Sequence, residues 1–263
     1  IGLDLLFVLE FHWGIAGAAW ATVLAQYVSG VGILVYCLIK CREFLPEKQH
    51  FRYEKSTLQE IWDLSALTCL QQSVMNFGIL MVQGLVNSFG ATTMAAFAAA
   101  VKIDTFAYLP VQDFGNAYST FIAQNYGAGN KERIRRGTKE SFAISTVFSL
   151  VISALVFAFA APLMQIFVSS AETAVIASGV RYLRIEGAFY FGIGCLFLLY
   201  GYYRAIKRAE MSVVLTVISL GIRVLLAYVL SATFLGETGI WMAIPIGWIL
   251  ADLTGLLYMR KTW

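Results

Sequence analysis

Apolar residues in this chain come in long uninterrupted runs, neither alternating nor confined to one helical stripe. The runs cover residues 14–39, 61–89, 93–124, 142–168, 175–203, 213–234 and 240–259, after a shorter one that breaks near Phe11. A helix needs roughly 20 predominantly apolar residues to cross the hydrocarbon of a bilayer. Each of the seven runs meets that length, so seven membrane-spanning helices are predicted, preceded by the tail of another.

Composition turns this pattern into a class. Of 263 residues, 59% are hydrophobic and 13% charged, and the mean hydropathy is +0.72. Too little polar surface remains to solvate a globular domain, so the chain reads as an all-α membrane protein, a polytopic helical bundle. The net charge of +3 does not mark a nucleic-acid partner, because the basic residues are sorted by loop. Lys40, Arg42, Lys48, Arg52 and Lys55 share one loop, and Lys131, Arg133, Arg135, Arg136 and Lys139 the next but one. Arg204, Lys207 and Arg208 follow, then Arg260 and Lys261, which accounts for 15 of the 19 basic residues. The alternate loops, near 11–13, 88–92, 169–173 and 235–238, carry Glu172 and Glu237 but no Lys or Arg. Lysine and arginine are retained on the cytoplasmic side, so the basic loops and the C-terminus are expected in the cytoplasm and the chain in a bacterial inner membrane.

Chemistry beyond transport finds little support. Cys37, Cys41, Cys69 and Cys195 lie in or beside apolar runs, with His12 and His50 as the only histidines, and read as packed free thiols. No phosphate-binding loop and no nucleophile beside a base is present, so neither an enzyme nor a cofactor is expected.

The Gly14 run overlays the last one. Gly14-Ile15-Ala16-Gly17 falls on Gly236-Glu237-Thr238-Gly239, an offset of 222 residues that also brings Leu34 onto Leu256 and Tyr36 onto Tyr258. Both helices would run from outside to inside, as a parallel repeat about the membrane normal requires. On that reading about 180 residues of a first repeat precede the chain.

The segment from Pro110 through Asp113-Phe114-Gly115-Asn116 to Gln124-Asn125-Tyr126-Gly127-Ala128-Gly129-Asn130-Lys131 closely resembles the eighth-helix signature of multidrug and toxic compound extrusion (MATE) transporters. Val86-Asn87-Ser88-Phe89-Gly90, Tyr182-Leu183-Arg184-Ile185, Gly201 and Arg204 match it as well. The resemblance runs from Gly14 onward and implies part of a two-lobed, twelve-helix fold. Residues 1–41 would then close the N-lobe as the tail of helix five and helix six. Residues 42–57 would form a cytoplasmic linker, and 58–263 the C-lobe with helices seven to twelve. Gly127 and Gly129 can take the positive φ that ends a helix and Asn130 can cap the next. With Pro110 they form a candidate hinge; a stop signal beside a topogenic charge cluster is the other reading.

Polar groups inside the runs are the candidate site. Gln72, Asn76, Gln83 and Asn87 are spaced by four, seven and four residues, so they share a helix face. Such a stripe must meet protein or water, as part of a substrate cavity or as interhelical bonding. Lys102, Asp104, Glu186 and Arg223 also lie within runs. A central charge costs roughly 2.5–3.5 kcal/mol on insertion scales, so each needs a partner or a task. Lys102, Glu186 and Arg223 form a candidate charge network, and Arg184 with Glu186 as a local pair is the competing reading. Asp104 and Tyr108 share a face, a carboxylate beside a ring, which suits an organic cation. Pro110 leaves the Phe106 carbonyl without its amide partner and predicts a bend. Alternatively, Asp104 pairs with Arg223 across helices.

The resemblance implies an exporter of small organic, cationic substrates, monomeric when whole, that exchanges them for H⁺ or Na⁺ by alternating access. An acid at Asp104 fits the family's cavity-lining eighth helix. Members with a sodium site in this lobe carry acids at positions falling near Met75 and Ile193 here, which moves the expected coupling site to the N-lobe. A lipid-linked-sugar flippase with a basic cavity, and a non-transporting scaffold or receptor, are the alternatives.

Overall fold

The computed structural model describes residues 2–41 and 54–262, and the chain divides into two compact units, Ile1–Leu58 and Gln59–Trp263. Most of the expected linker, residues 42–53, lies outside the described residues.

In the first unit a short helix α1 (Gly2–Leu5) passes into a π turn, Leu6–Glu10. The chain then breaks and restarts as α2 (Gly14–Lys40). His12 (φ 53°) and Gly14 (φ 54°) make the turn in the left-handed region, and Phe7, Phe11 and Trp13 pack their rings at 5.2–5.8 Å. Gly17 sits so close to the preceding segment that a Cβ there would lie 3.0 Å from the Phe7 carbonyl oxygen.

The second unit is a helical bundle. It holds α3 (Lys55–Asn87, whose first turn belongs to the other unit), α4 (Ala91–Gly127), α5 (Lys131–Phe167), α6 (Thr173–Gly187) and α7 (Tyr190–Ala205). There follow α8 (Ala209–Thr216), a π turn Val217–Gly221, α9 (Ile222–Ser231) and α10 (Glu237–Thr262). Among the described residues six helices are long and apolar enough to cross a membrane, with α8, the π turn and α9 counted as one (Ala209–Ser231), and α6 with α7, bent by 52°, makes a seventh, broken span. The seven apolar runs therefore become seven spans, with one difference: 175–203 is not a single helix. Phe189 (φ −117°, ψ 19°) leaves helical geometry at the break.

Lipid, not water, sets the burial pattern. Along α5, Ser145, Ser149, Ser153, Val156, Ala160 and Met164 face inward, whereas Ile144, Val147, Leu150, Val151 and Leu155 are exposed. Small side chains inside let helices approach and apolar ones outside meet acyl chains, the reverse of a soluble bundle. The closest approach of α4 and α7 follows the same logic. A Cβ on Gly201 would stand 2.7 Å from the Gly115 carbonyl oxygen, and Ser119 Oγ donates to the Gly201 carbonyl at 3.0 Å.

At the basic end, α4 closes on Gly129 (φ 69°). The Asn130 amide donates to the Asn125 carbonyl at 2.9 Å and the Gly129 amide to the Tyr126 carbonyl at 3.1 Å, the paired bonds of a Schellman ending. Asn130 Oδ1 then accepts the Arg133 amide and caps α5. Gly127, expected to share the positive φ, stays inside α4, because one left-handed residue suffices to end a helix. Pro110 gives no break in α4, which continues through it as one helix. Helical geometry fails instead in α5 at Phe159, three residues before Pro162.

The repeat seen in the sequence has a local counterpart. Gly236 (φ 53°) matches Gly14 (φ 54°), and Gly239, like Gly17, lies against backbone, its Cβ position 2.7 Å from the Leu230 carbonyl oxygen.

Candidate functional site

The opposite end of the bundle is tied by one carboxylate. Glu237, in the first turn of α10, accepts from Thr93 Oγ1 of α4 (2.8 Å) and Ser178 Oγ of α6 (3.1 Å), and Arg181 approaches it at 3.4 Å. Three helices that end in different loops are thereby held together.

Deeper in, aromatic rings close the interior. Phe97 and Trp241 stack at 5.4 Å, and Tyr182 meets both edge-on, at 5.6 and 4.9 Å. Beyond this trio lies a charged cluster built from three spans. Asp104 of α4 is 2% exposed and Glu186 of α6 is 6% exposed. The Tyr190 hydroxyl donates to Asp104 Oδ1. Tyr182 and Glu186 interact with the same carboxyl, and Arg223 of α9 acts on both acids at longer range. Asp104 Oδ2, Glu186 Oε2 and Arg223 Nε are buried without a hydrogen-bond partner among the described residues. Buried polar atoms without partners are costly, so this cluster holds two acceptor oxygens and one donor nitrogen whose bonding the described residues do not complete.

Of the residues singled out in the sequence, the structure gathers Asp104, Glu186 and Arg223, and it leaves Lys102 out. Lys102 is exposed and lines a separate cleft between α4 and the α5–α6 junction. Tyr108 is partly buried with its ring 6.2 Å from Phe197, and the aromatic hydroxyl bonded to Asp104 comes from Tyr190 on another helix. The local pairing of Arg184 with Glu186 is replaced: the Arg184 guanidinium sits 5.3 Å over the Phe157 ring, because residues two apart point away from each other on a helix. In α3, Gln72 and Asn76 are exposed and Gln83 partly so, with Gln83 Nε2 donating to Asn87 Oδ1 at 3.0 Å. The buried positions Gln71, Gly78, Val82 and Val86 occupy a neighbouring face, and Gly78 meets Leu220.

Tyr182 and Tyr190 escaped the sequence reading as site residues. The four-residue spacing of Tyr182 and Glu186, one turn apart on one face, was a usable signal; the approach of Tyr190 depends on the α6–α7 break and left none. Asp252 of α10 was also missed. It is 8% exposed beside Cys195, with Oδ1 unpartnered, and its signal was a lone acid in an apolar run.

Broken and π-turned spans around a buried pair of acids with a partly buried arginine are the architecture of a polytopic helical membrane protein. The chain belongs to the MATE family: the family profile described as MatE matches residues 66–229. It is 30% identical over 258 residues to "Probable multidrug resistance protein YpnP" of Bacillus subtilis, covering 97% of this chain and 56% of that protein. It is 27% identical to "Probable multidrug resistance protein NorM" of Thermotoga maritima, covering 93% of this chain and 53% of that one. The solved structure "Crystal structure of MATE in complex with MaL6" superposes with a TM-score of 0.90 at 23% identity, over 99% of this chain and 60% of that one. The chain thus spans about half the length of the curated relatives it matches.

Proposed function

We propose that the whole protein exports small organic cations across a bacterial inner membrane in exchange for H⁺ or Na⁺, by alternating access of two lobes, acting as a monomer. The basic loops and the C-terminus face the cytoplasm in this reading, on the strength of their charge alternation. Relatives named as multidrug resistance proteins support the transport class. The observation that carries the reading is the buried cluster of Asp104, Glu186 and Arg223, whose unpartnered oxygens and nitrogen give this lobe a polar element with more than one bonding arrangement. Rearrangement of such an element is what couples a bound ion to helix motion. The flippase alternative requires a gathered basic pocket, and the separation of Lys102 from Arg223, which sits with two acids, favours the exporter.

The coupling ion is taken up in the preceding lobe in this proposal. A specific observation favours a second site of uptake: Asp104 and Glu186 stand close enough to interact, and a proton held between two facing carboxyls would give each a hydrogen bond. Asp104→Asn and Glu186→Gln separate the possibilities in cells expressing the whole protein. Both variants are expected to remain in the membrane and to export cationic dyes at least tenfold more slowly. Normal export by both stable variants would remove the cluster from the mechanism.

A further inference from the structure

Helices α5 and α10 reach the basic end of the bundle from opposite directions: α5 begins there at Lys131 and α10 ends there at Thr262. Helix α7 packs against both, and a cleft of about 570 Å³ opens between their ends. Two charged residues line it, Lys139 of α5 and Arg260 of α10, and both are cations. They are exposed, and neither has a hydrogen bond or ion pair among the described residues. Thr138 and Met259, both buried, form the floor. The Thr138 hydroxyl is already engaged with Tyr118, so the floor offers no free polar group.

The order of residues with depth is the same on both helices. From the basic end inward α5 presents Lys139 and then Phe142, whereas α10, running the other way, presents Arg260 and then Leu257, Leu256 and Leu253. At 1.5 Å per residue, Leu253 lies about 10 Å deeper than Arg260. The two cations also stand at the edge of the hydrocarbon. No charged residue follows Glu140 in α5, and the exposed face of α10 carries none between its first turn and Arg260. The opposite face of α5 is different: a cleft of about 500 Å³ there is lined by Arg133 and Arg136 together with Glu132 and Glu140, and its charges cancel, with Arg136 paired to Glu140 at 2.8 Å. Cations at the rim, apolar walls inside them and no acid between the two repeat in complementary form the order of an anionic phospholipid, phosphate at the headgroup level and acyl chains within. A zwitterionic headgroup would need an acid for its ammonium, and none lines this cleft.

We propose that the α5–α10 cleft seats an anionic phospholipid of the inner leaflet, its phosphate between Lys139 and Arg260 and an acyl chain along Phe142, Leu257, Leu256 and Leu253. The choice of leaflet rests on the orientation proposed above. Lipid seated there clamps the end of the last span against α5.

The test is native mass spectrometry of the whole protein released from symmetric bilayers of equal parts phosphatidylglycerol, phosphatidylethanolamine and phosphatidylcholine. Wild type is expected to retain phosphatidylglycerol at least tenfold over each of the other two. Lys139→Gln and Arg260→Gln should each lower that preference about fivefold, the contribution of one basic residue at an anionic surface, and the double variant should abolish it. Lys139→Arg should keep it. Leu257→Trp, which fills the acyl channel and leaves the charges in place, should lower retention at least threefold. Arg133→Gln removes a cation from the opposite face of α5 and should change the preference less than twofold. A loss at Arg133 equal to that at Lys139 would overturn the proposal by making the preference a matter of net charge, and so would a wild type without preference. Full displacement of the lipid by millimolar glycerol phosphate, or retention indifferent to Leu257→Trp, would show that a free phosphate ester and not a lipid fits the site. Lys139, Arg260, Leu257 and Arg133 are all exposed, and should Lys139→Gln fail to fold, Arg260→Gln and Leu257→Trp decide the matter. Symmetric bilayers offer the lipid to both leaflets, so a failure here refutes the site and leaves the orientation and the exporter reading to their own tests.

Discussion

Replacing Gly201 with alanine should loosen the contact between α4 and α7, and the structure sets the scale. The new Cβ would stand 2.7 Å from the Gly115 carbonyl oxygen and 3.3 Å from the Ser119 Cβ, where ordinary contact begins at 3.4 Å. The nearer obstacle is backbone, so no rotamer relieves it and the helices must part by the missing 0.7 Å. Overpacking of this kind costs about 1–3 kcal/mol. Stretching the Ser119-to-Gly201 bond adds about 0.6 kcal/mol, the mean for interhelical bonds in a bilayer. Alanine returns about 1 kcal/mol of helix propensity. The balance is a loss of about 0.6–2.6 kcal/mol, which for a bundle of this size lowers the midpoint of thermal unfolding by about 1–10 °C. Fluorescence-detected unfolding of the detergent-solubilised whole protein measures it. Gly84→Ala, where nothing lies within 4 Å of the new methyl, is the control and should not lose stability. A Gly201→Ala protein as stable as wild type would refute the packing argument, as would an equal loss at Gly84.

Glu237→Ala should cost about 1–3 kcal/mol, because it strands the buried hydroxyls of Thr93 and Ser178 without acceptors. Arg181→Ala, removing a half-exposed partner of the same carboxylate, should change stability by less than about 1 kcal/mol; equal losses in the two thermal unfolding curves would contradict this. Cysteines placed at Gln72, Asn76 and Gln83, exposed or partly so along α3, should react with membrane-impermeant thiol reagents in the whole protein if the stripe lines a wet cavity. Inert cysteines at all three positions, with reactive loop controls, would leave interhelical bonding as its role.

What the sequence made legible is what lipid dictates. Run length gave the spans, because a bilayer imposes one thickness on every helix, and charge in the loops marked which ends belong together. The left-handed turns at Gly129, Gly14 and Gly236 were readable because few residues but glycine accept that conformation. The cluster was readable only in part. Asp104, Glu186 and Arg223 announced themselves as charges in apolar runs, but spacing within one helix paired Asp104 with Tyr108 and Glu186 with Arg184, whereas the partners come from other spans. Tyr190 reaches Asp104 because the span breaks at Ala188–Phe189, and no proline marks that break. Lys102 looked like a member of the same network because depth along a helix can be counted from sequence, while the direction a residue faces in the bundle depends on its neighbours.

The exporter reading is tested most directly in proteoliposomes holding the whole protein at uniform orientation, with an organic-cation dye on one side and a proton or sodium gradient imposed across the membrane. Dye should move against its own gradient when the ion gradient is applied and stop when an ionophore collapses it, and Asp104→Asn should reduce the initial rate at least tenfold. Dye movement indifferent to both ion gradients, or the same in the variant as in the wild type, would contradict the account.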